Sequence, residues 1–396
     1  MAQFNLPEPQ PDPLLHLVSK YHADTRHDKI DLGVGVYRDD DGNTPVLRAV
    51  KEAENRLQQL QPSKSYLGLT GDNEFVEQLG ILLFGQSINH SATYAFGAQT
   101  PGGSGALRLA AEIYKIAHPK GTLWVGLPTW PNHLPLTESA GVDTATYEYF
   151  DKNSQQVLFE NLLEVTDRAR PGDAIILHGC CHNPTGADLT TVQWQQLVSL
   201  LTAKEIIPIV DLAYHGLGNG LEDDLAPVRL ITTRCPEVLV ATSCSKNFGL
   251  YRDRTGAVYM TSHEKRTATR AQAVFGQIAR TIYSMPPDHG AAVVKIILQD
   301  NTLRQQWHDE LSSMTARIKS LRQSMADSFP VLGFVARQKG LFSLLPLNPA
   351  QVNTLIDEHA VYLAGDGRIN IAGCQEHQIE RFVAALKAVD FSGTTP

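Results

Sequence analysis

From about residue 90, short apolar runs alternate with amphipathic stretches. TYAFGAQT leads into GALRLAAEIYKIA, TLWVGLP into a helical stretch after Asn132, and VDTATYEYF into FENLLEVTDRA. AIILHGCC is followed by TTVQWQQLVSLLTAKE, and IIPIVDLAY and EVLVATSCSK continue the series. Apolar runs of strand length between stretches of helical period indicate βαβ units. The pattern predicts an α/β fold around a mostly parallel sheet.

The flanks read differently. Residues 1–13 are rich in Pro and polar residues and are expected to form an extended arm. Asp12-Pro13 has the form of an N-cap followed by Pro at the first helical position, opening LLHLVSKYHA. IDLGVGV (30–36) reads as a strand and DDDGN (39–43) as a turn. Beyond residue 262 the pattern is mainly helical, and 302–328, with no Gly or Pro, predicts a long connector helix. GLFSLL, VYLAG, RINIAG and QIERFVAALKAV return to mixed strands and helices. The simplest organisation is a large domain over 45–312 and a smaller one assembled from both chain ends, 14–44 and 313–396.

Composition narrows the function class. The 396 residues, 42% of them hydrophobic, are ample for a large core, and roughly 100–200 residues per domain gives two or three domains. A net charge of −8 without a long charged run speaks against nucleic-acid or membrane-surface partners. The start lacks a basic-then-apolar signal, and no run approaches the ~20 apolar residues of a membrane span. Five cysteines, an odd number, do not form a disulfide framework, and a cytoplasmic setting is expected.

LHGCCHNPTG (177–186) packs His178, His182, Cys180 and Cys181 together and raises the question of a metal. His178 and His182 satisfy H-x₃-H, but adjacent cysteines on a strand point to opposite faces, and no second Cys/His cluster follows. No metal site is expected. A buried strand with space-filling cysteines, ending in an Asn-Pro-Thr-Gly turn, accounts for most of the stretch. It leaves unexplained why other strand ends are also polar, and in parallel α/β sheets ligands bind at the carboxyl ends of strands. Those ends carry TPGGSGA (100–106), PTWPNH (128–133), HNPTG with Asn183, DLAYHG (211–216) and SCSKNFG (243–249), with Arg252 and Arg254 close behind.

Lys246 lies just after an apolar strand, where loss of solvent lowers proton affinity and permits Schiff-base chemistry. Ser243, Ser245 and Arg254 suit a phosphate, as do Gly103 and Ser104 at a helix start. Asp211, costly to bury alone, would be satisfied by a cationic pyridinium nitrogen. Asn183 and Tyr214 could hydrogen-bond a phenolate oxygen, and Trp130 could stack on a ring. Together these describe pyridoxal 5′-phosphate. Ser243-Cys244-Ser245-Lys246 also matches the S-x-x-K of serine acyl enzymes, but the accompanying S-D-N and K-T-G are missing from the sequence. A binding protein on a decayed scaffold is a further alternative, opposed by the intact set Lys246, Asp211, Asn183 and Arg254.

HNPTG, DLAYHG, SCSKNFGLYRDRTG, IARTIYSMPPDHGA and GRINIAG occur in this order, preceded by IDLGVGVYRDDDGNTPVL and YLGLTG. This series resembles the aspartate/aromatic aminotransferase family over nearly the whole chain. The resemblance implies a fold-type-I pyridoxal-phosphate transferase, with a mostly parallel seven-stranded sheet in the large domain and a smaller α/β domain. It implies that Lys246 bonds the cofactor and then shuttles a proton. Asp211 would pair with the ring nitrogen, Asn183 and Tyr214 would bind the ring oxygen, and Trp130 would stack. Gly103, Ser104, Ser243, Ser245 and Arg254 would hold the phosphate, joined by Tyr66 from a second subunit. Gly35, Trp130, Asn183 and Arg368 would meet the substrate, Arg368 gripping its α-carboxylate. Arg280, also from the partner in a homodimer, would meet a side-chain carboxylate; two arginines can clamp a dicarboxylate bidentately.

Cys244, His215 and Met285 depart from residues frequent in the family, and Ser104 replaces a Thr common in the aspartate branch and is more like the aromatic branch, whereas Val36, Arg38 and Thr44 look closer to the aspartate branch. All are expected to line or neighbour the substrate pocket. His178 and His133 are expected beside Asp211. The reading is aspartate with 2-oxoglutarate, giving oxaloacetate and glutamate; the alternative is an aromatic (Tyr, Phe) aminotransferase, with dual specificity also open.

Overall fold

The computed structural model describes residues 12–85, 89 and 93–393; most of the expected arm, residues 1–11, lies outside them. Asp12 does cap the first helix, Pro13–Ala23, its carboxylate accepting from the Leu14 and Leu15 amides. The central sheet has seven strands, labelled in chain order: β1 (Tyr94–Pro101), β2 (Thr122–Leu127), β3 (Asp143–Glu148), β4 (Ala174–His178), β5 (Ile207–Leu212), β6 (Glu237–Ser243) and β7 (Thr255–Ser262). Their spatial order is β1-β7-β6-β5-β4-β2-β3. Every pair is parallel except those of β7, which runs antiparallel to both neighbours.

β7 was not singled out by the sequence pattern. It lacks the strand-then-helix rhythm because it follows β6 without a crossover. Its direction matters for the site. Thr255, its first residue, pairs with Pro101 at the carboxyl end of β1, and Gly256 pairs with Ser243 at the end of β6. Residues just before β7, including Arg254, therefore reach the edge where the parallel strands finish.

Side chains along each strand alternate between two cores. Ala174 and Ile176 of β4 join the cluster under helices Gly102–Ala117 and Lys265–Ile282. Ile175 and Leu177 join a larger cluster with Trp194, Leu197, Val228 and Ile297 from helices on the other face. Burial on both faces explains why the strands read as continuous apolar runs. A third cluster gathers Leu17, Ile30 and Leu32 with residues from Leu321 to Phe391. The helix Asn301–Ser328 serves two clusters: Leu303, Trp307, Leu311, Met314 and Ile318 pack in the larger, Leu321 and Met325 in the third. No helix among the described residues is long and apolar enough to cross a membrane.

IDLGVGV is a strand only over Ile30–Asp31, paired with Val361–Tyr362. Leu32 still donates to the Tyr362 carbonyl and accepts the Asn370 amide, both at 2.8 Å, and beyond it side-chain bonds take over. Asn370 Nδ2 donates to the carbonyls of Val34 (2.6 Å) and Val36 (2.7 Å), which holds the segment against the strand residue Asn370.

Candidate active site

The strand ends converge on a cavity of about 160 Å³ lined by Gly35, Gly103, Ser104, Trp130, Asn183, Asp211, Tyr214, Ser243, Ser245, Lys246 and Arg254. Each of these was named from the sequence. Leu107, Ala213 and Tyr251 complete the lining.

Asp211, near the end of β5, lies opposite His178 of β4 and accepts a 3.1 Å hydrogen bond from His133 Nε2. The other nitrogen of that ring, Nδ1, meets Thr129 Oγ1 at 2.7 Å, which fixes the orientation of His133. Burial pushes the Asp211 carboxyl up, but the hydrogen bond from His133 and the nearby Lys246 amine outweigh it and hold the pKa below its ordinary value. Asp211 is thus an ionised carboxylate in a dry place, aimed into the cavity. His178 does not bond Asp211. Its ring lies 5.1 Å from that of His133 and 4.2 Å from that of His182, its Nε2 has no partner, and burial pushes its pKa down to about 3.

Lys246 Nζ sits 5.0 Å from the Tyr214 ring centre. Burial pulls its pKa down to about 8; Asp211 opposes the shift and Arg254 adds to it. The Tyr214 hydroxyl accepts from Asn183 Nδ2 at 3.4 Å, and burial raises its pKa.

The opposite end of the cavity is an anion cradle. Gly102 opens a 16-residue helix at φ +69°, and a Cβ there would lie 2.5 Å from Arg254 Nη2. Arg254 Nη1 donates to the Tyr251 carbonyl (3.0 Å) and Ser245 Oγ (3.3 Å), and Ser245 Oγ accepts from Ser243 Oγ at 3.0 Å. The helix has no acidic residue in its first turn. A cation, two hydroxyls and free helix N–H groups suit a phosphate monoester. With Lys246 and Asp211 at the far side, the donor set fits pyridoxal phosphate.

Arg368 approaches from a strand, Arg368–Asn370, paired with Phe342–Leu344. It makes long bonds to Asn183 Oδ1 and the Gly33 carbonyl, both 3.4 Å, and stacks 4.6 Å above Phe342. Its Nε is buried without a partner, so the guanidinium retains capacity for an incoming carboxylate. The sequence reading missed Phe342, Tyr251 and Thr129. Phe342 looked like an ordinary strand residue, yet its ring fills the space a Cβ at Gly35 would enter, 2.7 Å away. A glycine beside Val36 was the available signal.

Two named residues do not reach this cavity within one chain. Tyr66 is 93% exposed, and Arg280 is an exposed residue of Lys265–Ile282 bonded to Ser284 Oγ at 3.1 Å. Several expected pocket residues also lie elsewhere. Cys244 is fully buried on the face opposite Ser243 and Ser245, as strand alternation demands. His215 is buried against Asn247. Arg38 pairs with Asp31, Thr44 donates to the Tyr37 carbonyl, and Met285 Sδ accepts the Leu67 amide. Neither these nor Val36 line the cavity; of the departing positions only Ser104 does. Cys180 and Cys181 do not face apart as expected, because β4 ends at His178 and Cys181 turns to φ +51°. Their sulfurs and an Asp224 carboxylate oxygen lie within 4.8 Å of one another, but the bond to Cys181 and then burial raise the pKa of Cys180, burial raises that of Cys181 against the same bond, and Asp224 already accepts the amides of Gly216, Gly218 and Asn219.

The sequence model of the family "Aminotransferase class I and II" matches residues 27–386. The chain belongs to this family. It is 49% identical to the tyrosine aminotransferase of Rhizobium meliloti over 366 residues, covering 91% of this chain and 93% of that protein. It is 41% identical to the aspartate aminotransferase of Haemophilus influenzae, covering 96% and 97%. A crystal structure of an aromatic-amino-acid aminotransferase from Burkholderia pseudomallei, covalently bound to pyridoxal phosphate, superposes with a TM-score of 0.94 at 36% identity, covering 98% of this chain and all of that one. The aminotransferase fold is fold-type-I α/β, and the chain is a transaminase.

Proposed function

We propose that this aminotransferase uses pyridoxal 5′-phosphate to move the amino group of aspartate to 2-oxoglutarate, giving oxaloacetate and glutamate in a ping-pong reaction. The observation that carries the proposal is the single cavity joining a buried amine of lowered pKa, an ionised carboxylate and an anion cradle, with Arg368 at its mouth. Bound there, the cofactor supplies an electron-withdrawing ring that accepts the electrons released when the substrate α-C–H bond breaks. Asp211 keeps a proton on the ring nitrogen, and His133 keeps Asp211 ionised and oriented. Asn183 and Tyr214 donate to the ring oxygen, and Trp130 covers the ring. Gly103, Ser104, Ser243, Ser245 and Arg254 hold the phosphate. Arg368 would orient the substrate by its α-carboxylate, while Lys246 Nζ, its proton affinity lowered by burial, would take the α-proton and return it.

The same proposal includes a homodimer in the cytoplasm, with a large domain over 45–312 and a smaller one from 14–44 and 313–396. Tyr66 and Arg280 would enter the partner's cavity, Tyr66 at the phosphate and Arg280 at the substrate side chain. Their exposure supports this, as do the exposed Leu67, Leu69 and Ile282 beside them.

Purified protein is expected to be yellow, and Lys246→Ala to lose turnover; colourless protein that takes up no added pyridoxal phosphate would sink the reading. Arg280→Ala is expected to cut kcat/KM for aspartate about 100-fold, the usual scale for losing a buried charged partner; unchanged aspartate turnover would remove Arg280 from its role. A second reading, an aromatic amino acid donor alone or alongside aspartate, is favoured by the 49% identity to a tyrosine aminotransferase. Comparing kcat/KM for aspartate and phenylalanine with 2-oxoglutarate decides between them.

A further inference from the structure

The segment carrying Tyr66 and the helix end carrying Arg280 come from separate parts of the chain, yet they are tied together. Gln61 Nε2 donates to Asp288 Oδ2 at 2.9 Å, and the Leu67 amide donates to Met285 Sδ at 3.0 Å. The third tie is different in kind. Gln99, on β1, is fully buried, and its side chain is used at both ends. Its Nε2 donates to the Pro287 carbonyl at 2.6 Å, and its Oε1 accepts the Asp72 amide at 2.8 Å. Its own amide donates to the Thr70 carbonyl at 2.9 Å. The approach is close enough to require glycine: Gly71 has φ +78°, and a Cβ there would lie 2.4 Å from Gln99 Oε1. Two residues further along β1 the chain reaches Pro101 and the anion cradle.

We infer that Gln99 is a positioning residue for the partner subunit's active site: it sets the Tyr66 segment and the Arg280 helix end at a fixed spacing and ties both to β1. The inference rests on the shared-site reading above. A buried primary amide offers a donor and an acceptor in one rigid plane. Each bond is local to one segment, so the amide fixes the relative position of two segments that nothing in the sequence connects. Met285 supplements it with a weaker thioether acceptor. The bonds lie within one subunit, while the side chains they position act in the other.

Hybrid dimers test this, made by co-expressing two differently tagged chains and purifying through both tags. A Lys246→Ala chain paired with an Arg280→Ala chain has one complete site and is expected to show about half the wild-type activity. If it is inactive, the shared-site reading fails, and the role of Gln99 fails with it. A Lys246→Ala chain paired with a Gln99→Met chain keeps native trans elements at its working site and should match that control. A Lys246→Ala/Gln99→Met chain paired with wild type presents altered trans elements to the working site. There KM for aspartate should rise roughly 10-fold or more, the scale of a small misplacement. The reverse pattern, equal loss in both hybrids, or no loss in either overturns the inference. Hydrogen exchange gives a second readout: in the Gln99→Met homodimer, residues 66–72 and the amides of Met285 and Asp288 should exchange at least about 10-fold faster while the sheet is unchanged, and unaltered exchange there also overturns it. Should Gln99→Met fail to fold, Gln99→Asn, which keeps the amide but draws it back from Pro287 and Asp72, goes through the same hybrids, and the same trans-only pattern is required.

Discussion

Lys246 is held where a charge is costly. Burial lowers its pKa from 10.5 to about 8, so the folded state binds this proton less readily than the unfolded chain. Between pH 8 and 10.5 the unfolded state carries more protons, and stability rises with pH. The contribution is fully present above 10.5, is lost as pH falls through that window, and is constant below it. In the cofactor-free protein, Lys246→Met is therefore expected to be more stable than wild type at pH 7 by up to about 3 kcal/mol. The gap should close towards pH 10.5, read from urea midpoints at both pH values. An equal or lower midpoint at pH 7 would contradict the burial cost. Asp211, Asn183 and Lys246 were legible because each is polar at the end of an apolar run. Phe342 and Tyr251 were not, because an aromatic residue in an apolar stretch carries no mark of what it touches.

At the scale of elements, the anion cradle is a strand-to-helix turn whose first glycine cannot be replaced freely. Gly102 combines positive φ with contact to Arg254, so Gly102→Ala must strain the turn and displace the guanidinium. The expected result is a cofactor dissociation constant raised roughly 10-fold or more, since left-handed strain alone costs about 1–2 kcal/mol. Titration of the cofactor-free protein with pyridoxal phosphate, followed by absorbance, checks it; unchanged affinity would show that the cradle tolerates a methyl group. Most strands and helices were readable from period alone. β7 escaped because the rhythm of strand and crossover describes parallel neighbours only. IDLGVGV was over-read because apolar alternation cannot report that Asn370 takes over the carbonyls of Val34 and Val36.

Across the whole molecule, Arg322 joins the long helix to the segment that carries Phe342. It is 2% exposed and donates to the carbonyls of Val335, Lys339, Gly340 and Phe342 and to Ser343 Oγ. Burial lowers its pKa to about 10, and the Cys181 thiol and Asp188 oppose the shift. Arg322→Met would leave several buried carbonyls without donors, at a cost of about 3 kcal/mol or more. The loosened Phe342 lies beneath Arg368 and 5.8 Å from the Tyr214 ring, so the substrate KM should rise while cofactor absorbance persists. Urea midpoints and steady-state kinetics test both halves; unchanged stability would show that water replaces the lost donors.

The sequence by itself determined the periodic elements, the cap at Asp12 and the chemical type of each strand end, because these depend on residues a few positions apart. Its motif order also identified the family. Only the tertiary structure decided how the ends meet. β7 enters antiparallel and sets Arg254 against Gly102, and Arg368 reaches Asn183 across 185 residues of chain. Gln99 locks together two segments that no local pattern relates. These contacts follow from strand order and long-range packing, whose energies depend on partners distant in sequence, and no local period encodes them.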